Sequence, residues 1–159
     1  MDKILQEKQD RVVRAIEKYA DTVRRVCFVY LKNRDDVEDI FQDVFLQLYR
    51  YEKCFDSEDH EKAWLLRVAI NKCKDLHKSF FKSRVCPLDE LEITFEDETE
   101  HEIMHAVLAL PQKYKDVIYL FYYEGYSVPE ISKILGVKDN TIYSHLHRAK
   151  LMLREKLED

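Results

Sequence analysis

Trp64, Arg67, Asn71, Lys74, Lys78 and Lys82 recur at spacings of three and four in this 159-residue chain. On a helix that spacing draws one stripe: an indole, a guanidinium, an amide and three ammonium groups. Such a stripe suits phosphate contacts with some reading of base edges. A second set, Asn140, Thr141, Tyr143, Ser144, His147 and Arg148, falls on the outer side of a basic C-terminal segment. Arg148 can donate two hydrogen bonds to a guanine, a pairing that discriminates between bases by roughly 1–3 kcal/mol. A third set, Asp39, Gln42, Asp43 and Gln47, makes an acidic and amide face. One pattern points elsewhere. His101-Glu102-Ile103-Met104-His105 matches H-E-x-x-H, in which two histidines share a zinc ion and the glutamate acts as base. A catalytic zinc needs a third protein ligand, and none is singled out. The helix also stops before Pro111, and no strand is readable to hold a substrate. These histidines read better as flanks of an apolar face at Ile103, Met104 and Val107. No nucleophile–base pair or phosphate-cradling glycine loop is visible. The chain is therefore expected to bind rather than catalyse, with no cofactor and no metal.

The elements that must position these residues are helical. Two Gly and three Pro are too few for the turns of a sandwich or barrel. No apolar run approaches the roughly 18–20 residues that span a bilayer. The start, Met1 to Gln6, lacks the apolar core of a signal peptide, so a cytoplasmic location is expected. Cys27, Cys54, Cys73 and Cys86 form no C-x-x-C pair, and Cys27 and Cys73 fall on apolar faces as reduced thiols. The periodicity predicts a helix over 3–32 with a break near Tyr19. A second helix over 35–50 has Asn33 before it as cap and buries Val37, Ile40, Phe41, Val44, Phe45 and Leu48. Residues 51–61 lose the period and read as a loop. A long helix over 60–83 follows, with Leu66, Ala69, Ile70, Cys73, Leu76 and Phe80 inward. Residues 85–100 read as a linker. Beyond it come helices at 101–110 and 112–124, the latter with Tyr114, Val117, Ile118, Phe121 and Tyr122 inward and Gly125 closing it.

The net charge of −5 argues against a nucleic-acid partner only as an average. Residues 35–61 carry ten acids and two bases, whereas residues 62–84 carry seven bases and one acid. Residues 85–102 carry eight acids and no base, and residues 131–154 five bases and one acid. Basic segments attract phosphate locally even in an acidic chain.

Ser127-x-x-Glu130 is a capping box, with Pro129 in the tolerated first turn. The helix it opens, Val128 to Leu135, ends at Gly136, and a longer basic helix over about 139–157 follows. A short capped helix, a glycine turn and a longer basic helix form a helix-turn-helix signature. Its second helix would enter the major groove. Ile131, Leu135, Val137 and Ile142 supply the inter-helix core, and the small Ser132 lies where the helices approach.

Leu110-Pro111-Gln112-Lys113, Glu124 to Ile131, Leu135-Gly136-Val137 and Thr141 to Ala149 together resemble region 4 of bacterial sigma factors. Asp36 to Leu46, followed by Trp64-Leu65-Leu66-Arg67-Val68-Ala69-Ile70-Asn71, resembles region 2. The order, the spacing and the missing middle domain resemble the extracytoplasmic-function (ECF) group of the sigma-70 family, over roughly residues 8–157. The resemblance implies an all-α protein of two small helical domains joined by an acidic linker. Residues 1–84 would be region 2, 85–100 the linker and 101–159 region 4. It implies a promoter-specificity subunit that binds core RNA polymerase at the β′ clamp helices and β flap, and directs initiation from promoter DNA. Asp39, Gln42, Asp43 and Leu46 would dock on polymerase. The 51–61 loop with Trp64, Arg67, Asn71, Lys74 and Lys78 would open the −10 element. Asn140, Thr141, Tyr143, Ser144, His147 and Arg148 would read the −35 duplex. An anti-sigma factor is an expected partner. The linker either threads a channel built for polyanions or is a solvated tether. Tyr143 and His145 stand where many relatives carry Arg or Lys. Lys138 stands where a Ser or Asp cap is common, so Asp139 is expected to cap one residue later. The competing reading is a helix-turn-helix regulator without polymerase contact, which leaves the acidic helix and the Trp64 stripe without a job.

Overall fold

The computed structural model describes residues 2–79 and 98–158, with side chains for 2–76 and 102–158. Residues 85–97 of the linker expected over 85–100, with Phe80, Lys82 and Cys86, lie outside the described residues. The chain divides into two compact units, Met1–Pro87 and Leu88–Asp159.

The first unit packs α1 (Asp2–Tyr30), α2 (Arg34–Arg50) and α3 (Glu58–Ser79) against one another. The expected break near Tyr19 is absent. Helix α1 contains no Gly or Pro, and the buried Tyr19 donates its hydroxyl to the Glu58 carbonyl at 3.2 Å. Asn33 caps α2: its side-chain oxygen accepts from the backbone N–H groups of Asp35 (2.8 Å) and Asp36 (3.3 Å). Asp35 and Asp36 sit at the positive end of the helix dipole. The six apolar residues selected by the period are the six that α2 buries. Helix α3 starts at Glu58, inside the expected loop. Ser57 caps it by accepting from the His60 N–H at 3.1 Å, and three acids occupy its first turn. Its inward face is wider than the period predicts. Leu65 and Val68 are buried along with Leu66, Ala69, Ile70 and Cys73, because α3 packs on both α1 and α2. The buried Leu, Val and Ile side chains each contribute about 1.5–3 kcal/mol by leaving water. Arg24 braces α1 on α2: Nε donates to Glu38 Oε1 at 2.9 Å, and the guanidinium lies 4.1 Å from the Phe41 ring centre.

The second unit holds α4 (Glu98–Leu108), α5 (Gln112–Ile118), α6 (Val128–Leu135) and α7 (Asp139–Glu158). Helix α4 begins at Glu98, so residues 98–100 are helical rather than linker. The helix expected over 112–124 changes character midway. After Ile118 a π-helical turn, Tyr119–Tyr123, widens the coil, and the Glu124 N–H reaches back to the Tyr119 carbonyl at 3.1 Å. The wider turn re-aims the side chains. Tyr119 and Leu120 are buried, whereas Phe121 is half-buried and Tyr122 is 53% exposed. Gly125 follows at φ 75°, the left-handed conformation that favours glycine. Lys115 and Asp116 are buried on α5 as well.

Candidate nucleic-acid and partner interfaces

In the helix-turn-helix, Ser127 accepts from the Glu130 N–H at 3.3 Å, and the Glu130 carboxylate accepts from the Ser127 N–H at 3.0 Å. The Ser127 backbone N–H, helped by the Ser127 side chain, holds the Glu130 carboxyl below its usual range. Gly136 turns the chain at φ 68° and donates to the Ser132 carbonyl at 2.8 Å. Ser132 does more than stay small: its hydroxyl donates to the Val137 carbonyl and fastens the turn. Ile131 and Ile142 are buried between α6 and α7, with Ile134 joining them; Leu135 and Val137 are only half-buried. Asp139 is the first helical residue of α7 rather than its cap. The Lys138 carbonyl accepts the first N–H bonds, from Thr141 (3.0 Å) and Ile142 (3.1 Å).

This construction sets one face of α7 outward. Asn140, Tyr143, Ser144, His147 and Arg148 are exposed along it, and Thr141 is half-buried beside it. Tyr143 is 59% exposed, a large ring left mostly in water. Behind the stripe, Tyr114 of α5 packs edge-on against His145 of α7, with ring centres 5.5 Å apart at 88°. The Arg148 guanidinium, helped by Lys113, holds the Tyr114 phenol below its usual range. Burial, helped by the positive charges of Lys113 and Arg148, lowers the His145 imidazole; Asp116 opposes them.

In the first unit, the expected −10 residues share one side of α3. Arg67 and Asn71 are exposed, and Lys74 is half-buried. The side chain of Lys78 lies outside the described residues. Trp64 is not a free ring on the stripe. It packs 4.7 Å from Tyr51 and 5.6 Å from Phe55, and Phe55 also meets His60 at 5.2 Å. Arg11 of α1 anchors this cluster. Its guanidinium donates to the Tyr51 carbonyl (2.8 Å) and the Lys53 carbonyl (3.1 Å), and lies 4.8 Å from the Phe55 ring centre. Lys18 pairs with Glu58 at the start of α3. The loop over 51–57 is thus a braced aromatic platform beside the cations of α3. Sequence reading missed Arg11, Tyr51 and Phe55. The aromatic spacing was visible, but no period links α1 to residues 40 positions away.

On α2, Asp39, Gln42, Asp43 and Leu46 are all exposed on one face, with Leu46 at 46%. A leucine left in water amid carboxylates and an amide is a mixed surface of the kind that docks on protein. The second unit carries an apolar groove of about 500 Å³ between α4, the π turn and the end of α7. Ile103, Val107, Tyr122, Tyr123, Leu153 and Leu157 line it, with Lys150, Arg154 and Glu158 among its polar residues. Among the described residues no three His, Cys, Asp or Glu side chains gather to hold a metal. The side chain of His101 lies outside those residues. No helix among them is long and apolar enough to cross a membrane.

Comparison with known proteins matches residues 15–80 to Sigma-70 region 2 and residues 100–153 to Sigma-70, region 4. The ECF RNA polymerase sigma factor SigW of Bacillus subtilis is 27% identical over 95% of this chain and 91% of its own length. SigV of the same species, an RNA polymerase sigma factor, is 26% identical over 92% and 90%. Among solved structures, the sigma factor RpoE of Bartonella quintana, crystallised with the anti-sigma factor NepR, shares the fold. Its TM-score is 0.73 at 19% identity, over 91% of this chain and 95% of that one. CnrH, solved with the cytosolic domain of CnrY, gives a TM-score of 0.70 at 21% identity, over 99% and 94%.

Proposed function

The chain belongs to the sigma-70 family as an ECF sigma factor, and from that premise we propose how its surfaces divide the work of promoter recognition. Residues 1–84 act as region 2, the acidic segment up to residue 97 as linker, and the helices from α4 onward as region 4. The exposed face of α2, Asp39, Gln42, Asp43 and Leu46, docks on the β′ clamp helices of core polymerase. The 51–57 platform, with Trp64, Arg67, Asn71, Lys74 and Lys78, takes the opened −10 strand. The bases would stack against the aromatic platform while cations follow the backbone. Helix α7 lies in the −35 major groove, where Asn140, Thr141, Tyr143, Ser144, His147 and Arg148 meet the duplex. The apolar groove of the second unit is the surface for the β flap. Strand opening draws on binding energy within the polymerase complex, and this chain contributes contacts rather than bond chemistry.

The observation that carries this reading is the exposed acidic face of α2, on the same chain as a capped helix-turn-helix. A lone DNA-binding regulator has no use for it. The anti-sigma factor crystallised with the Bartonella relative supports a similar partner here. A protein covering the α2 face or the groove would hold the factor off polymerase. Mixing the protein with sigma-free core polymerase from its host should give a stoichiometric complex by gel filtration. No complex at micromolar protein would leave the regulator reading in front.

A further inference from the structure

We propose that Tyr143 is a specificity-determining residue that packs its ring on the C5-methyl group of one thymine in the −35 duplex. The proposal rests on the assignment of α7 to that duplex and names the group this residue reads. Tyr143 lies in the second turn of α7 and is 59% exposed. Ile142 before it and Leu146 after it are buried where α7 packs on α5 and α6, which holds its backbone in place. A helical tyrosine points its side chain back towards the helix N-terminus. The N-terminal residues of a recognition helix are those that meet base edges. The rest of that face is polar: Asn140, Ser144, His147 and Arg148 are exposed on it, and Thr141 borders it. The other large apolar side chains exposed on α7 stand elsewhere. Leu151 is two turns further on, about 12 Å along the axis, and Leu157 lines the apolar groove.

The major groove offers a ring few counterparts. Its floor presents hydrogen-bond donors, acceptors and one apolar group, the thymine methyl. The amide, hydroxyl, imidazole and guanidinium groups of α7 suit the donors and acceptors. An aromatic face gains most by covering the methyl, because both surfaces then leave water. Tyrosine also has only two side-chain torsions, so ordering its ring costs less entropy than ordering a lysine or arginine. The phenol hydroxyl, at the far end of the ring, plays no part in this contact. Base selection by α7 thus combines hydrogen bonds from its polar side chains with one apolar contact from Tyr143.

The test uses holoenzyme reconstituted with wild type, Tyr143→Phe, Tyr143→Ala or Arg148→Ala, on a promoter from which wild type initiates. Each thymine of the −35 element, on either strand, is replaced in turn by deoxyuridine, which removes the methyl and keeps the base pair. Competition binding reads the penalty, and melting of each purified variant checks that the fold is intact. With wild type, one position should show a penalty of roughly three- to fivefold, the scale of one methyl group taken out of water. Tyr143→Phe retains the ring and should retain that penalty. Tyr143→Ala should bind the thymine promoter more weakly and lose the penalty at that position alone, the non-additivity that marks a direct contact. No penalty at any position with wild type, a penalty that survives in Tyr143→Ala, or one that Tyr143→Phe abolishes would each overturn the proposal. A second series, in which each −35 base pair is permuted, reads the underlying assignment. If Arg148→Ala alters selectivity among those promoters while Tyr143→Ala leaves every uracil penalty unchanged, the thymine contact alone fails. If neither variant alters selectivity, the assignment of α7 to the −35 duplex fails with it.

Discussion

A guanidinium is selective only in a frame, and the frame around Arg148 is made of titratable neighbours. Replacing Arg148 by Ala should cost about 1–3 kcal/mol of discrimination at one −35 base pair, read as relative initiation from permuted promoters. Loss of affinity uniform across sequences would mark it as a phosphate contact instead. His145, packed against Tyr114, gives a separate prediction. Burial and the nearby cations Lys113 and Arg148 lower its imidazole, so the unfolded chain takes up the proton more readily. Its contribution to stability is complete above its unfolded value of about 6.5 and is lost as pH falls through the lower folded value. Urea midpoints of the protein should therefore decline as pH falls from 7.5 to 5, and His145→Asn should flatten that decline. An unchanged slope would place the titration elsewhere. Exposure of Asn140, Tyr143, Ser144, His147 and Arg148 was legible from their spacing alone, because helix period fixes which way a side chain faces. Tyr114 was legible only as a core residue. Its edge-on contact with His145 depends on the packing of α5 on α7, which no local pattern encodes.

Elements position these residues through their ends and their irregularities. The sequence marks ends well where a side chain must satisfy backbone groups. Asn33, Ser127 with Glu130, and Gly136 all stand where their chemistry requires. Ser127→Ala should destabilise the second unit by about 1 kcal/mol, seen as a lower melting temperature. The lowered Glu130 carboxyl adds a sign: the box contributes above the ordinary carboxylate range and is lost as pH falls through the depressed value. The wild-type advantage over Ser127→Ala should therefore shrink in acid. Irregularities are harder to read. The π turn at Tyr119–Tyr123 breaks the 3.6-residue period, so the period points Phe121 and Tyr122 inward where the wider coil turns them out. The same holds for the 51–57 loop. Its aromatic residues are visible, but Arg11 completes it from a helix 40 residues earlier. Arg11→Ala removes two bonds to loop carbonyls and the cation over Phe55. It should weaken binding of holoenzyme to a DNA fork exposing −10 single strand by roughly tenfold, the scale of disrupted base stacking. Affinity for a −35 duplex should stay unchanged. Equal loss on both probes would make Arg11 a general stabiliser rather than a brace for the platform.

Charge sorting decides how the whole chain behaves before and after it meets polymerase. The free protein carries a net −5, yet its proposed DNA-facing segments are basic. The exposed carboxylates of α2 belong to the opposing share, and they repel phosphate as long as they face water. Docking that face on polymerase would cover those carboxylates and remove the repulsion when promoter DNA must be engaged. One surface would thus serve both as partner site and as a guard against wasteful binding to DNA. The two roles make opposite predictions for one variant. Asp39→Asn with Asp43→Asn keeps shape and hydrogen-bonding capacity while removing two charges. Affinity for core polymerase should fall, by roughly tenfold or more if both carboxylates meet cations across the interface. Affinity of the free protein for non-specific duplex DNA should rise, most clearly at low salt, where screening is weakest. Asp43→Arg should push both effects further in the same directions. Filter binding across a salt series, beside a competition assay for core enzyme, separates the outcomes. If core affinity falls and DNA affinity does not move, the acidic face is a docking surface only. If neither moves, α2 carries no partner through this face, and the polymerase contact must be sought elsewhere on the first unit.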